Sequence, residues 1–174
     1  MLRSPTDSVK INRTDMVRII TGAANSGKST KFFQLFQEKN NETGLYSLKL
    51  YNDDNTIIGY NLVLLPIDEE IPFISLRESV PAEDTDKYYY QGRFALLKET
   101  FEIAERYILN SPDHIPVWID EVGKLELKGV GYDKLLHKLV KSDRDMVITV
   151  KDSLLDQVLN RYEIKEYRVI EYIV

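Results

Sequence analysis

Gly22-Ala23-Ala24-Asn25-Ser26-Gly27-Lys28-Ser29 satisfies the pattern G-x-x-x-x-G-K-[S/T] at every constrained position. Each fixed place has a chemical reason. Gly22 and Gly27 permit a tight turn in which successive backbone N–H groups face inward and cradle an anion. Lys28 supplies a cationic arm that reaches the β- and γ-phosphates of a nucleotide, and the Ser29 hydroxyl can ligate magnesium. A helix starting here aims its positive end at the same anion, with Thr30 in its first turn. Ala23, Ala24, Asn25 and Ser26 complete the cradle, so Gly22 to Thr30 is the expected nucleotide-binding set.

The flanks fit a strand–loop–helix unit. Val17-Arg18-Ile19-Ile20-Thr21 is a short β-rich run, and Phe32, Phe33, Leu35 and Phe36 predict a helix from Ser29 to about Lys39 with one buried face. Further on, Gly44–Leu50 and Ile57–Leu65 are β-rich runs around Asn52-Asp53-Asp54-Asn55, a hairpin signal. Pro66–Pro72 and Val80–Asp86 read as loops, and Phe73–Leu76 and Tyr88-Tyr89-Tyr90 as short strands. Phe94, Leu97, Phe101, Ala104 and Ile108 predict one helix from about Arg93 to Leu109, broken by Ser111-Pro112-Asp113. Strands at Val117–Asp120, Met146–Val150 and Tyr167–Val174 alternate with helices near Tyr132–Lys141 and Leu154–Leu159. That alternation predicts an α/β fold, a mostly parallel sheet covered on both faces, with an antiparallel hairpin insertion.

Val117-Trp118-Ile119-Asp120-Glu121 is an apolar strand that delivers an acid to the sheet's carboxyl edge, where open α/β sheets bind their ligands. Asp120 is the expected magnesium partner of Ser29. Glu121, directly after it, can polarise an attacking water.

The continuation gives Asp120-Glu121-Val122-Gly123-Lys124-Leu125-Glu126-Leu127. This run resembles the hallmark of the THEP-type nucleoside-triphosphatase family, close to D-E-[IV]-G-K-[ML]-E-L. Gly44-Leu45-Tyr46-Ser47, Ile58-Gly59-Tyr60-Asn61-Leu62-Val63 and Lys87-Tyr88 agree in order, so the resemblance spans about residues 17–172. It implies a three-layer, RecA-like P-loop fold and magnesium-dependent hydrolysis of ATP, GTP and other nucleoside triphosphates. On the matching positions, Lys28 and Ser29 would hold phosphate and metal, Asp120 the metal, and Glu121 the water. Lys124 carries over as a motif member that can act as an in-chain cation near the phosphates, or else as a loop lysine paired with Glu126. The chain departs from the pattern at Leu48, Tyr51, Ile57 and Asp86, where the family usually carries Glu, Arg, Arg and Gly.

Composition narrows the alternatives. With 174 residues, 43% hydrophobic and 29% charged, the chain suits one compact domain over residues 16–174, preceded by a flexible or extended polar leader at 1–15. The net charge of -5 argues against non-specific nucleic-acid binding. The absence of cysteine excludes disulfides and cysteine-ligated metals. No stretch approaches the roughly 18 apolar residues of a membrane helix, and residues 1–15 lack a signal peptide's apolar core, so a cytoplasmic protein is expected.

Several residues have blander readings. His114 and His137 lack ligand spacing and suit structural roles. Arg77 and Arg93 are possible cations near the phosphates, but most arginines cover surface. Tyr88-Tyr89-Tyr90 suits a half-buried strand better than a base-stacking site, and Trp118 suits the core. Hydrolysis is the leading reading. A small nucleoside or nucleotide kinase would need an arginine-rich lid that the sequence does not offer. A nucleotide-dependent switch or assembly ATPase, acting on a protein partner or as a homo-oligomer, stays open; no N-K-x-D sequence supports a GTPase-type switch.

Overall fold

The computed structural model describes residues 17–174; the leader expected at 1–15 lies outside them. Nine strands form one sheet: β1 (Val17–Gly22), β2 (Thr43–Tyr51), β3 (Ile57–Leu65), β4 (Glu69–Leu76), β5 (Tyr88–Gln91), β6 (Phe94–Leu97), β7 (Val117–Val122), β8 (Met146–Lys151) and β9 (Tyr167–Ile173). Their order across the sheet is β5-β6-β4-β3-β2-β7-β8-β1-β9. From β2 to β9 every pairing is parallel, and from β2 out to β5 every pairing is antiparallel. The antiparallel part is thus a β2–β3–β4 meander with the β5–β6 hairpin added at its edge, which extends the expected hairpin.

Burial explains the parallel half. β1, β7 and β8 are covered on both faces and accordingly read as nearly continuous apolar runs. Helix α1 (Lys28–Gln37) covers one face, where Phe32 and Phe36 meet Ile20, Trp118 and Val147. Helices α2 (Lys98–Leu109), α4 (Asp133–Lys141) and α5 (Leu155–Arg161) cover the other. Phe101, Ala104, Leu135, Leu136, Leu139 and Val158 pack there on Ile19, Ile119 and Ile148. A single short turn, α3 (Lys124–Leu127), lies directly after β7. One strand, β8, separates the phosphate-loop strand β1 from the acidic strand β7.

Two expected elements come out differently. The helix predicted from Arg93 begins at Lys98, because Phe94–Leu97 is strand β6. A four-residue apolar run suits either period, and pairing of Ile74 with Leu96 on β4 decides the matter. Gly92, at φ 56, makes the tight two-residue connection from β5, and is the hairpin signal the helical spacing masked. The loop expected at Pro66–Pro72 is half strand, since β4 starts at Glu69. Pro72 is tolerated there because the β3–β4 register shifts between Tyr60 and Asn61, beside its pairing with Asn61. The Asn52 turn behaves as read, its side-chain oxygen accepting from the backbone N–H groups of Asp54 and Thr56.

Candidate functional site

The carboxyl ends of β1, β7 and β8 meet at one cleft of about 510 Å³. On one side lies the loop from β1 into α1. Gly27 has φ 98, which favours glycine, and a Cβ on Gly22 would stand 2.6 Å from the Ile173 carbonyl oxygen and 2.7 Å from Ser26 Oγ. Both glycines of the pattern are therefore required by the backbone. Lys28 is buried, and its Nζ donates to the Ala23 carbonyl at 2.6 Å, across the mouth of its own cradle.

Asp120 is fully buried at the end of β7. Its Oδ1 accepts from Ser29 Oγ at 3.0 Å and from Thr149 Oγ1 on β8 at 2.7 Å; its Oδ2 accepts from the Ser47 backbone N–H at 3.3 Å. Burial raises its carboxyl above the ordinary aspartate range, and the charge of neighbouring Glu121 raises it further. Two crowded carboxylates with a hydroxyl between them form a site that a cation would relieve.

Glu121 is exposed, and its Oε1 accepts from the same Ser29 hydroxyl at 3.2 Å. Consecutive residues of a regular strand point to opposite faces, so Asp120 and Glu121 should not share a partner. They do because the β7–β8 register breaks between Ile119 and Val122, and Glu121 sits at φ 66. The bulge turns both carboxylates to the one hydroxyl, and Glu121 to the cleft. Thr149 fastens it by accepting the Glu121 backbone N–H at 2.7 Å while donating to Asp120.

Glu126 is buried and serves a different purpose. It accepts from the backbone N–H of Gly123 at 2.8 Å and of Tyr132 at 3.0 Å, tying α3 to the segment that enters α4. Burial pushes its carboxyl up to about 7. With both oxygens on backbone amides, Glu126 forms no pair with Lys124, which is exposed at the cleft's edge.

The remaining candidates divide clearly. Ala24 to Thr30, Glu121 and Lys124 all line the cleft; Gly22 and Ala23 stand just behind it. Arg77 lies over the Tyr90 ring at 4.8 Å and Arg93 over the Phe94 ring at 4.7 Å, so both cover the antiparallel part of the sheet. His137 pairs with Asp133 at 3.4 Å, and Trp118 is core. Tyr88, Tyr89 and Tyr90 form edge strand β5 outside the cleft, while Tyr46, Tyr51 and Tyr60 line it. Leu48 and Tyr51, two of the departures from the family pattern, are on that wall. Sequence reasoning missed Thr149 and the Ser47 amide as holders of Asp120. A polar residue inside the apolar run Met146–Val150 was the available signal for Thr149.

One hydroxyl held between two carboxylates at the lip of an anion cradle is the arrangement of a P-loop NTPase, and the strand order agrees. The chain belongs to the NTPase family, whose model matches residues 18–172, and is an enzyme that hydrolyses nucleoside triphosphates. It is 27% identical over 150 residues to the nucleoside-triphosphatase THEP1 of Thermotoga sp. (strain RQ2), covering 84% of this chain and 82% of that protein. The THEP1 of Thermotoga maritima is 25% identical over the same shares. Among solved structures, THEP1 of Aquifex aeolicus shares the fold with a TM-score of 0.64 at 16% identity, over 91% of this chain and 90% of that one. A human cancer-related nucleoside triphosphatase does so with a TM-score of 0.61 at 20% identity, over 89% and 87%. Among the described residues no helix is long and apolar enough to cross a membrane.

Proposed function

We propose that the chain hydrolyses ATP, GTP and other nucleoside triphosphates to diphosphate and phosphate with Mg²⁺, and with little preference among bases. The observation that carries this reading is the Ser29 hydroxyl, 3.0 Å from Asp120 Oδ1 and 3.2 Å from Glu121 Oε1.

The donor set suits magnesium. A hydroxyl and a buried carboxylate are hard oxygen ligands, and Mg²⁺ binds proteins through one or two such groups while keeping waters and substrate phosphates. Ser29 and Asp120 would hold it, and when bound it would neutralise charge on the phosphates.

The chain's own groups do the rest. The amides from Ala24 to Ser29 receive the phosphate oxygens at the start of α1. Lys28 leaves the Ala23 carbonyl and transfers its charge to the β- and γ-phosphates. Glu121 orients a water in line with the γ-phosphorus and accepts its proton as the bond to the β-phosphate oxygen breaks. Lys124, at the cleft's edge, adds positive charge as the equatorial oxygens gain negative charge. Base tolerance follows because the ligands so assigned all face the triphosphate.

Phosphate release from ATP, GTP, CTP and UTP, each with Mg²⁺ and with EDTA, tests the reading. All four should be hydrolysed with Mg²⁺, and EDTA should abolish turnover. A preference above about a hundredfold, near 2.7 kcal/mol, would refute base tolerance, and metal-independent turnover would refute the role of Mg²⁺.

A further inference from the structure

Among the described residues, three buried side-chain oxygens have no hydrogen-bond partner: Ser26 Oγ, Ser47 Oγ and the Tyr132 hydroxyl. All three residues line the cleft. Unsatisfied buried polar groups destabilise a fold, so their confinement to one cleft says that the missing partners belong to the working state of that cleft. Ser26 is part of the phosphate cradle, and Ser47 flanks Asp120, to which its amide donates. Tyr132 belongs to neither. It lies at the entry to α4, outside the phosphate loop and outside the acidic motif.

Tyr132 is held firmly. Glu126 Oε1 accepts its backbone N–H at 3.0 Å, and its ring packs edge-on against Phe101, with centroids 4.9 Å apart, and beside Phe73 at 6.4 Å. Two carboxylates line the cleft with Tyr132, those of Glu126 and Glu121, and the buried Asp120 adjoins Glu121. Glu126 is engaged by two backbone amides, and Asp120 by Ser29, Thr149 and Ser47. Glu121 has one side-chain bond, to Ser29, and that bond is contested.

The reason is proton count. The Ser29 hydroxyl carries one proton, yet it lies within reach of both Asp120 and Glu121, with Asp120 nearer. With its oxygen on a metal, Ser29 would keep its proton on the nearer Asp120 and would release the Glu121 carboxylate. We propose that Tyr132 is a positioning residue for hydrolysis: its hydroxyl donates to the Glu121 carboxylate after Glu121 leaves Ser29, and holds it toward the attacking water. In this structure the base is thus parked on Ser29, and nucleotide binding moves it to Tyr132. This inference rests on the hydrolytic reading above.

Tyr132→Phe removes only the hydroxyl and tests the idea. Its kcat should fall about tenfold or more, the factor commanded by one hydrogen bond to a charged group, with KM and nucleotide affinity unchanged. Its Tm should be equal to or above the parent's, since an unsatisfied buried group is gone. In a Glu121→Gln background the same change should have no further effect on kcat, because Tyr132 acts through Glu121. A structure of the parent with magnesium, ADP and beryllium fluoride should have the Tyr132 oxygen within hydrogen-bond distance of the Glu121 carboxylate. Parent-like kcat in Tyr132→Phe, an additive loss in the double variant, or a Tyr132 hydroxyl still unpartnered with the analogue bound would each overturn the inference. Absence of hydrolysis by the parent would instead overturn the reading it rests on.

Discussion

At the scale of single residues, Asp120 and Glu121 are neighbours with opposite environments, and the proposed function gives them separate duties. Asp120 is fully buried with three donors, while Glu121 is exposed and shares one of them. Glu121→Gln should leave nucleotide affinity near normal and lower turnover by at least about two orders of magnitude, the usual weight of a general base. Asp120→Asn should also lose magnesium-dependent binding, because the buried ligand has lost its charge. Titration with a fluorescent nucleotide, with and without Mg²⁺, alongside single-turnover phosphate release separates the two. Parent-like hydrolysis in Glu121→Gln would place the base elsewhere. The residue types and their order were legible in the chain, since strand, acid, acid is a local pattern. That both acids reach one hydroxyl was not, because the positive φ of Glu121 depends on how β7 meets β8.

At the scale of elements, the segment from α3 to the start of α4 is a bracket closed by Glu126. Gly131 stands inside it at φ 67, and a Cβ there would lie 2.6 Å from Glu126 Oε1 and 3.1 Å from Leu125 Cβ. Gly131→Ala should therefore combine left-handed strain with displacement of the Glu126 carboxyl, at a cost of about 2 kcal/mol or more. Chemical denaturation should report that loss, and turnover should fall with it, because Tyr132 and Lys124 hang on the same bracket. Parent-like stability would mean that the bracket yields freely. Element assignment from sequence fared unevenly for a definable reason. The runs at Val17, Ile57 and Met146 are long or β-branched enough to declare themselves, and β3 has the bounds expected of it. Phe94–Leu97 is too short to declare a period, and its hydrogen bonds to β4 and β5 made it a strand.

At the scale of the whole molecule, the buried Glu126 sets a pH dependence of stability. Its carboxyl titrates near the ordinary 4.5 in the unfolded chain and about 7 in the fold. Between those values the native state holds a proton that the unfolded state has released. Stability from this group is thus full below about 4.5, falls as pH rises through the window, and is lost above about 7. The swing is on the order of 3 kcal/mol. Thermal melts of metal-free protein at pH 5, 6.5 and 8 should show a gain on acidification that is smaller in Glu126→Gln. Equal pH dependence in parent and variant would assign the effect to other groups.

The phosphate cradle, the acidic strand end and the alternation of strands and helices could all be read from the chain, because glycine placement, hydrophobic period and side-chain chemistry are properties of neighbouring residues. The extension of the expected hairpin by β4, β6 and β5, the Thr149 fastening of Asp120, the backbone duty of Glu126 and the unpartnered Tyr132 hydroxyl could not. The first two join residues far apart in sequence, and the last two depend on which groups are buried and which partners they keep, relations that exist only once the sheet has formed and its helices have packed.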